Sequence, residues 1–326
     1  MDTKTKKILK EVDDLRQKGS CLFKNIKVTC SDERKGKNTK GNHLIQRSNY
    51  LESIAINDEV MYFNIEDMEY YQRDSQLLKK NIKRVHKYNV VCGNHDKDLF
   101  SEIENGNVFN ENNKKQCFQF ALRAFMFNYS EQELKNNFKL KTKTLEKVAS
   151  LALEDRKLMS QSFKLYYENE QWDVLNTYVI KLEKKIGFIS CSSFYPFFDI
   201  DKKYRGYIKK DKIFFNIFPK ENESYIVMSH FKDASKCCEN FCKQICAYSE
   251  KNKFSKVEKY LSKIIVAQDK YITLSPNLWE DWSDKEKSDF YKYAHLFKRG
   301  GVLALIFKLI QLKYSKPIFN LFKQVL

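Results

Sequence analysis

The sequence predicts an α+β fold, and three observations predict it. Up to about residue 112, short β-rich runs and charged helical runs are punctuated by cysteine and histidine. Residues 115–170 repeat apolar side chains at helical spacing. From residue 174, short β-rich runs separated by turn residues give way again to helical spacing. The chain is therefore divided into residues 1–112 and residues 113–326.

In chain order, Thr3 to Lys18 sets Ile8, Val12 and Leu15 at helical spacing and stops at Gly19, which predicts a short amphipathic helix. Cys21 to Cys30 alternates as a strand or hairpin arm, and Ser31 to Lys40 is a charged turn containing Gly36. Ile45 to Val60, with Ile45, Leu51, Ile54, Ala55 and Ile56, is expected to be helical, as is Glu66 to Lys87. A β-rich start, a helix and a return to the turn Cys92-Gly-Asn-His95 is the path of a ββα-metal or treble-clef-like zinc module. Two long helices come next, one bearing Phe118, Leu122, Phe125, Met126 and Tyr129, the other Leu145, Val148, Leu151, Ala152, Leu158 and Met159. Val174–Leu182, Ile186–Ser192, Lys212–Phe218 and Ser224–Ser229 predict an antiparallel meander. Helices are expected to resume from about Ala234 to Val266 and, after the break at Ser275-Pro276, from Lys285 to the end.

With 326 residues, 42% of them hydrophobic, the chain can bury a core without help from disulfides. Lys and Arg outnumber Asp and Glu by 59 to 42, a net charge of +17 that attracts polyanions, nucleic acid first and an anionic membrane surface second. Lysines that merely solvate exposed faces give the same count. Met1-Asp-Thr-Lys-Thr-Lys-Lys-Ile has no apolar core of a secretion signal, so a reducing, cytoplasmic compartment is expected. The longest apolar run, Gly301 to Phe307, is too short to span a bilayer, and no transmembrane segment is expected.

Nine cysteines in a reducing compartment point to metal ligands or buried small hydrophobes. Cys92-x-x-His95 has the spacing of a zinc half-site, and Cys21 with Cys30 is the matching, wider pair. His43 is then spare, either as a neutral imidazole able to take a proton from water or as a further polar residue or replacement ligand. Phosphodiester hydrolysis by such a base also needs a divalent cation, Mg²⁺ or Mn²⁺, for which Asn42, Asp96, Asp98 and Glu102 are the local candidates.

These residues resemble the HNH, or His-Me finger, endonucleases that carry a structural zinc. The resemblance implies that His43 is the general base beside Asn42, and that Cys21, Cys30, Cys92 and His95 hold the zinc. The family's last metal ligand falls near Leu99 or Phe100, so the role passes to Asp96 or Glu102. The implied activity is metal-dependent cleavage or nicking of nucleic acid, DNA more than RNA, in bacterial defence against phage. The alternative is a non-enzymatic, zinc-stabilised nucleic-acid-binding or regulatory protein with a protein partner.

The whole chain is also similar to a loosely defined group of uncharacterised bacterial proteins, through His43 to Gln46, Cys92 to Asp96 with Phe100 and Glu104, Ser193 to Asp199, Phe215 to Pro219 and Ser275 to Trp279. Gly93-Asn94-His95-Asp96 matches one signature of calcineurin-like metallophosphoesterases, but their Asp-x-His and Gly-Asp-x-x-Asp signatures are absent. Cys238, Cys242 and Cys246 form one helical stripe, read as core packing. Phe194 to Phe198 beside Lys202, Lys203 and Arg205 is a candidate stacking platform for unpaired bases, or simply a sheet face. Leu303, Phe307, Ile310, Phe319 and Phe322 either dock a membrane or partner, or complete the core.

Overall fold

A computed structural model describes residues 21–24, 26–31, 42–43, 50–63, 76–85, 87–88, 90–104, 107, 109–137, 143–203, 212–251, 253–269, 271–297 and 302–324. The predicted first helix, Gly36 and Arg205 lie outside them. The chain forms two compact units, one of residues 1–44 with 86–175, the other of residues 45–85 with 176–326.

The first unit contains a two-stranded ribbon, β1 (Asn42–His43) and β4 (Lys87–Tyr88), the short helix α2 (Gly93–Leu99) and the predicted long helices α3 (Lys114–Asn137) and α4 (Lys143–Glu168). Phe118 and Phe125 of α3 meet Phe163 of α4 at 5.5 and 5.0 Å between ring centroids. The inner face of α3 also buries polar groups, each with a task. Gln116 accepts from the Asn110 N–H at 2.7 Å and donates to the Glu102 carbonyl at 3.0 Å. Gln119 accepts from the Glu102 N–H at 3.0 Å, and the buried Arg123 pairs with Glu104. Helix α3 thus holds the loop that leaves α2, which is why its apolar stripe is interrupted.

The second unit is built on a seven-stranded antiparallel sheet in the order β3-β2-β9-β6-β7-β8-β5. Its strands are β2 (Glu59–Phe63), β3 (Leu77–Asn81), β5 (Leu175–Leu182), β6 (Phe188–Phe194), β7 (Ile213–Lys220), β8 (Glu223–Phe231) and β9 (Thr273–Leu274). Every residue of β6 is buried, and so are the first seven of β7, so both faces of the sheet's middle are covered. On one face, Phe215 reaches Phe194, Phe194 reaches Phe241 and Phe241 reaches Tyr260, at 5.5, 5.6 and 5.9 Å. Those last two residues belong to α5 (Lys236–Glu250) and α6 (Phe254–Gln268), the helices expected after the sheet. Cys238 and Cys242 are fully buried in the same layer, and Cys246 is half-buried, which fits core packing. On the other face, Tyr50 meets Phe218 at 4.6 Å.

Several expectations are corrected. Residues 45–60 are not one long helix: the described part holds only a short helical stretch ending in α1 (Glu52–Ile54), after which the chain turns. Asn57 and Asp58 take positive φ of 51° and 60° between the paired residues Ile56 and Glu59, a type I′ turn that commits the residues after it to strand β2. The described residues of 66–87 form β3, a 3₁₀ turn and the start of β4, with β3 paired along β2. Helix also does not run to the C-terminus. After α7 (Pro276–Glu280), α8 (Asp284–Ala294) and α9 (Val302–Tyr314), Pro317 excludes further helix. The tail then buries Phe319, Leu321 and Phe322 in the core. Phe307 and Ile310, by contrast, are exposed.

The meander is real for β6, β7 and β8, but β5 lies beyond β8 rather than beside β6. Its link to β6 is clasped by one hydroxyl. The fully buried Ser224 Oγ accepts from the Ile186 N–H at 3.0 Å and donates to the Lys184 carbonyl at 2.7 Å. Ser224→Ala leaves both backbone groups unsatisfied and is expected to lower stability by about 1–3 kcal/mol, measured as a shift of the urea midpoint at constant m. A loss below about 0.5 kcal/mol would mean that water replaces the hydroxyl.

Candidate metal centre

Cys21 opens a tight loop. The Lys24 N–H donates to the Cys21 carbonyl and the Ile26 N–H to the Phe23 carbonyl, both at 3.1 Å, and Lys27 takes a positive φ of 57°. The chain doubles back, and Cys30 returns beside Cys21. Phe23, fully buried, anchors the loop edge-on against Tyr167 at 5.4 Å. The second half-site is the start of α2, where Cys92 stands at the N-cap with extended backbone and His95 sits within the first turn. Loop and helix are laced together by Leu22 N–H to the Val90 carbonyl at 2.7 Å and by Asn94 Nδ2 to the Thr29 carbonyl at 3.0 Å.

This folding brings together the four residues that the spacing singles out. The ligand atoms of Cys21, Cys30, Cys92 and His95 all lie within 4.8 Å of one another. His95 Nδ1 is 3.5 Å from Cys21 Sγ, 3.7 Å from Cys30 Sγ and 3.1 Å from Cys92 Sγ. Zinc bonds of about 2.3 Å to sulfur and about 2.0–2.1 Å to nitrogen, set tetrahedrally, give sulfur-to-nitrogen edges of about 3.5 Å. The cluster fits a zinc-sized ion.

The supporting groups fit it as well. His95 is fully buried, and its Nε2 stands 2.9 Å from the Ile26 carbonyl. Donating there fixes the tautomer and leaves the Nδ1 lone pair facing the sulfurs. Burial pushes the Cys21 thiol up to about 12, against the pull of the Cys92 and Phe23 N–H groups. Burial acts on Cys92 in the same sense, but hydrogen bonding, led by the His95 backbone N–H and joined by Ser31, outweighs it and brings that thiol down to about 6. A dication reverses the burial penalty, because it stabilises the thiolate form of every cysteine that binds it. Ile26 and Ser31 have no motif signal, since a backbone carbonyl and a lone serine become supporting groups only once the loop has closed.

The other predicted residues are spread more widely. Asp96 and Asp98 lie on α2, just past the cluster. The Glu102 carboxylate is 3.3 Å from Lys115 Nζ. Leu99 and Phe100, 1% and 0% exposed, belong to the core. Asn42 and His43 form β1, whose backbone pairs antiparallel with Tyr88 and Lys87. In the second unit, Lys202 has a positive φ of 67° and stands 5.5 Å over the Tyr314 ring, while the exposed Lys203 donates its N–H to Asp199 at 2.8 Å.

Fold and site together define an α+β protein with a Cys₃His cluster able to hold a metal such as zinc. No protein-family model, curated protein or solved structure matches the chain. Among the described residues no helix is long and apolar enough to cross a membrane.

Proposed function

We propose that the chain is a zinc-braced, metal-dependent nucleic-acid endonuclease or nicking enzyme in which His43 is the general base. One observation supports this most directly. Asn42 and His43 pair with Tyr88 and Lys87, four residues ahead of Cys92, so a strand, a partner strand and helix α2 come in that order. The segment 45–85 is inserted between the two strands and belongs to the other unit. Cys21, Cys30, Cys92 and His95 would hold zinc, which would clamp loop 21–30 onto α2 and so steady the ribbon that leads into it.

His43 as a neutral imidazole takes the proton of the attacking water near neutral pH. Asn42 with Asp96 or Asp98 would hold a divalent ion, and that ion would supply charge stabilisation at the phosphate. Glu102 joins that set only by giving up Lys115.

The test is cleavage of supercoiled plasmid with Mg²⁺ or Mn²⁺, beside His43→Ala matched for zinc content. The expected result is nicking or linearisation by the wild type and a loss of about 10²–10⁴-fold in the mutant. Equal cutting by both proteins removes His43 from the mechanism. A second reading, a non-enzymatic nucleic-acid-binding protein, is favoured by Leu99 and Phe100, which stand where the family's last metal ligand falls and cannot bind metal. Salt-dependent binding of DNA or RNA with no cutting of either supports it instead.

A further inference from the structure

The second unit gathers positive charge in a hollow that no part of the cleavage reading uses. Lys256, Lys259 and Lys263 of α6 converge with Lys313, Lys316 and Lys202 around a pocket of about 340 Å³. The first three sit at i, i+3 and i+7, one face of the helix, where like charges repel. Only Lys256 has an acidic partner among the described residues, Asp201 at 2.8 Å. Lys263 is 6% exposed and donates to the carbonyls of Lys313 and Ser315 at 3.2 and 3.1 Å, with a third N–H left to offer. Burial first, and the Lys202 charge second, hold its ammonium down to about 8. Asp201 answers one of the six lysines, and a bound anion would offset the repulsion among the rest and the desolvation of Lys263.

The remaining walls decide what kind of anion. Phe198, Ile200, Tyr260 and Pro317 supply apolar lining, and the Tyr260 hydroxyl fixes it by donating to the Phe198 carbonyl at 2.6 Å. An inorganic ion leaves that lining unused. A nucleic-acid strand needs a continuing track of charge, whereas these lysines, from α6, the turn at Lys202 and residues 313–316, ring one hollow. The volume lies at the lower end of the range for small-molecule pockets.

We propose that this pocket binds a small ligand carrying two or more phosphate groups on a non-ionic body, the nucleoside polyphosphate class. It is independent of the nuclease reading, because every lining residue belongs to the second unit.

Calorimetric titration of the full zinc-loaded chain with ADP, pyrophosphate and adenosine, each alone, tests it. ADP is expected to bind at least about tenfold more tightly than either fragment. In Lys259→Gln/Lys316→Gln, which alters two exposed side chains and leaves the core intact, ADP affinity is expected to fall at least about tenfold while the melting temperature holds or rises. No ADP binding at millimolar concentration, pyrophosphate binding as tightly as ADP, or unchanged affinity in the double variant each overturns the proposal. Displacement of ADP by single-stranded oligonucleotides with affinity growing along their length also overturns it, in favour of a strand-binding surface.

Discussion

Cys92→Ala is expected to lose its zinc, from a single ion per chain to below about 0.1, and with it the cooperative unfolding of the first unit. The magnitude reflects what the ion replaces. Loop 21–30 has little regular structure, and the described hydrogen bonds that tie it to α2 are few. Structural zinc in small modules contributes an apparent stabilisation of about 10–16 kcal/mol at neutral pH, far above any single contact here. Metal analysis and limited proteolysis of residues 86–175 read the effect. Cys242→Ala is the control, since that fully buried cysteine packs against the second unit's core and its loss opens a cavity without touching zinc. Full zinc in Cys92→Ala, or wild-type protein purified without any, would sink the metal centre.

The second large effect belongs to Phe290→Ala. Phe290 is fully buried and meets Phe63, Trp279, Trp282 and Phe319 at 6.0, 5.6, 5.6 and 5.6 Å. These rings come from β2, α7 and the stretch after it, and the C-terminal tail, so one side chain joins segments more than two hundred residues apart in sequence. Truncating such a ring costs about 3–5 kcal/mol, equivalent to a melting shift of roughly 6–20 °C for a unit of this size. Zinc content should be unchanged. A loss under about 1 kcal/mol would show that the cluster repacks around the gap.

The parts legible in the sequence were those with a local signature. Helices α3 and α4 announce themselves through long apolar repeats, and strands β5 to β8 through short β-rich runs between turns. The Cys and His of the candidate cluster were legible because zinc accepts so few residue types. Strand β2 was not, because Val60 to Phe63 are all buried and a strand covered on both faces loses the period-of-two signal. The decisive mark was Asn57-Asp58, two residues suited to positive φ, inside what otherwise passes for a helix. The place of β5 was equally hidden, since strand order depends on partners far away in sequence. The lysine pocket had no sequence signal for the same reason: Lys202, Lys263 and Lys316 are ordinary solvated positions until the chain closes.

The interleaving of the two units has a consequence for synthesis. The first unit is complete once residue 175 has left the ribosome, and a metal held by its Cys₃His cluster would seal it while translation continues. Strands β2 and β3 emerge far earlier, yet β9, which joins β2 to the rest of the sheet, lies about 190 residues after β3. At about 5–20 residues per second, that hairpin waits roughly 10–40 s with the β2 edge unpaired. Its outer strand carries Lys79 and Lys80, charges that discourage edge-to-edge pairing with other chains, but β2 itself is Glu-Val-Met-Tyr-Phe. The nascent chain is therefore most exposed to aggregation through the strand that, once seated, lies in the interior of the sheet.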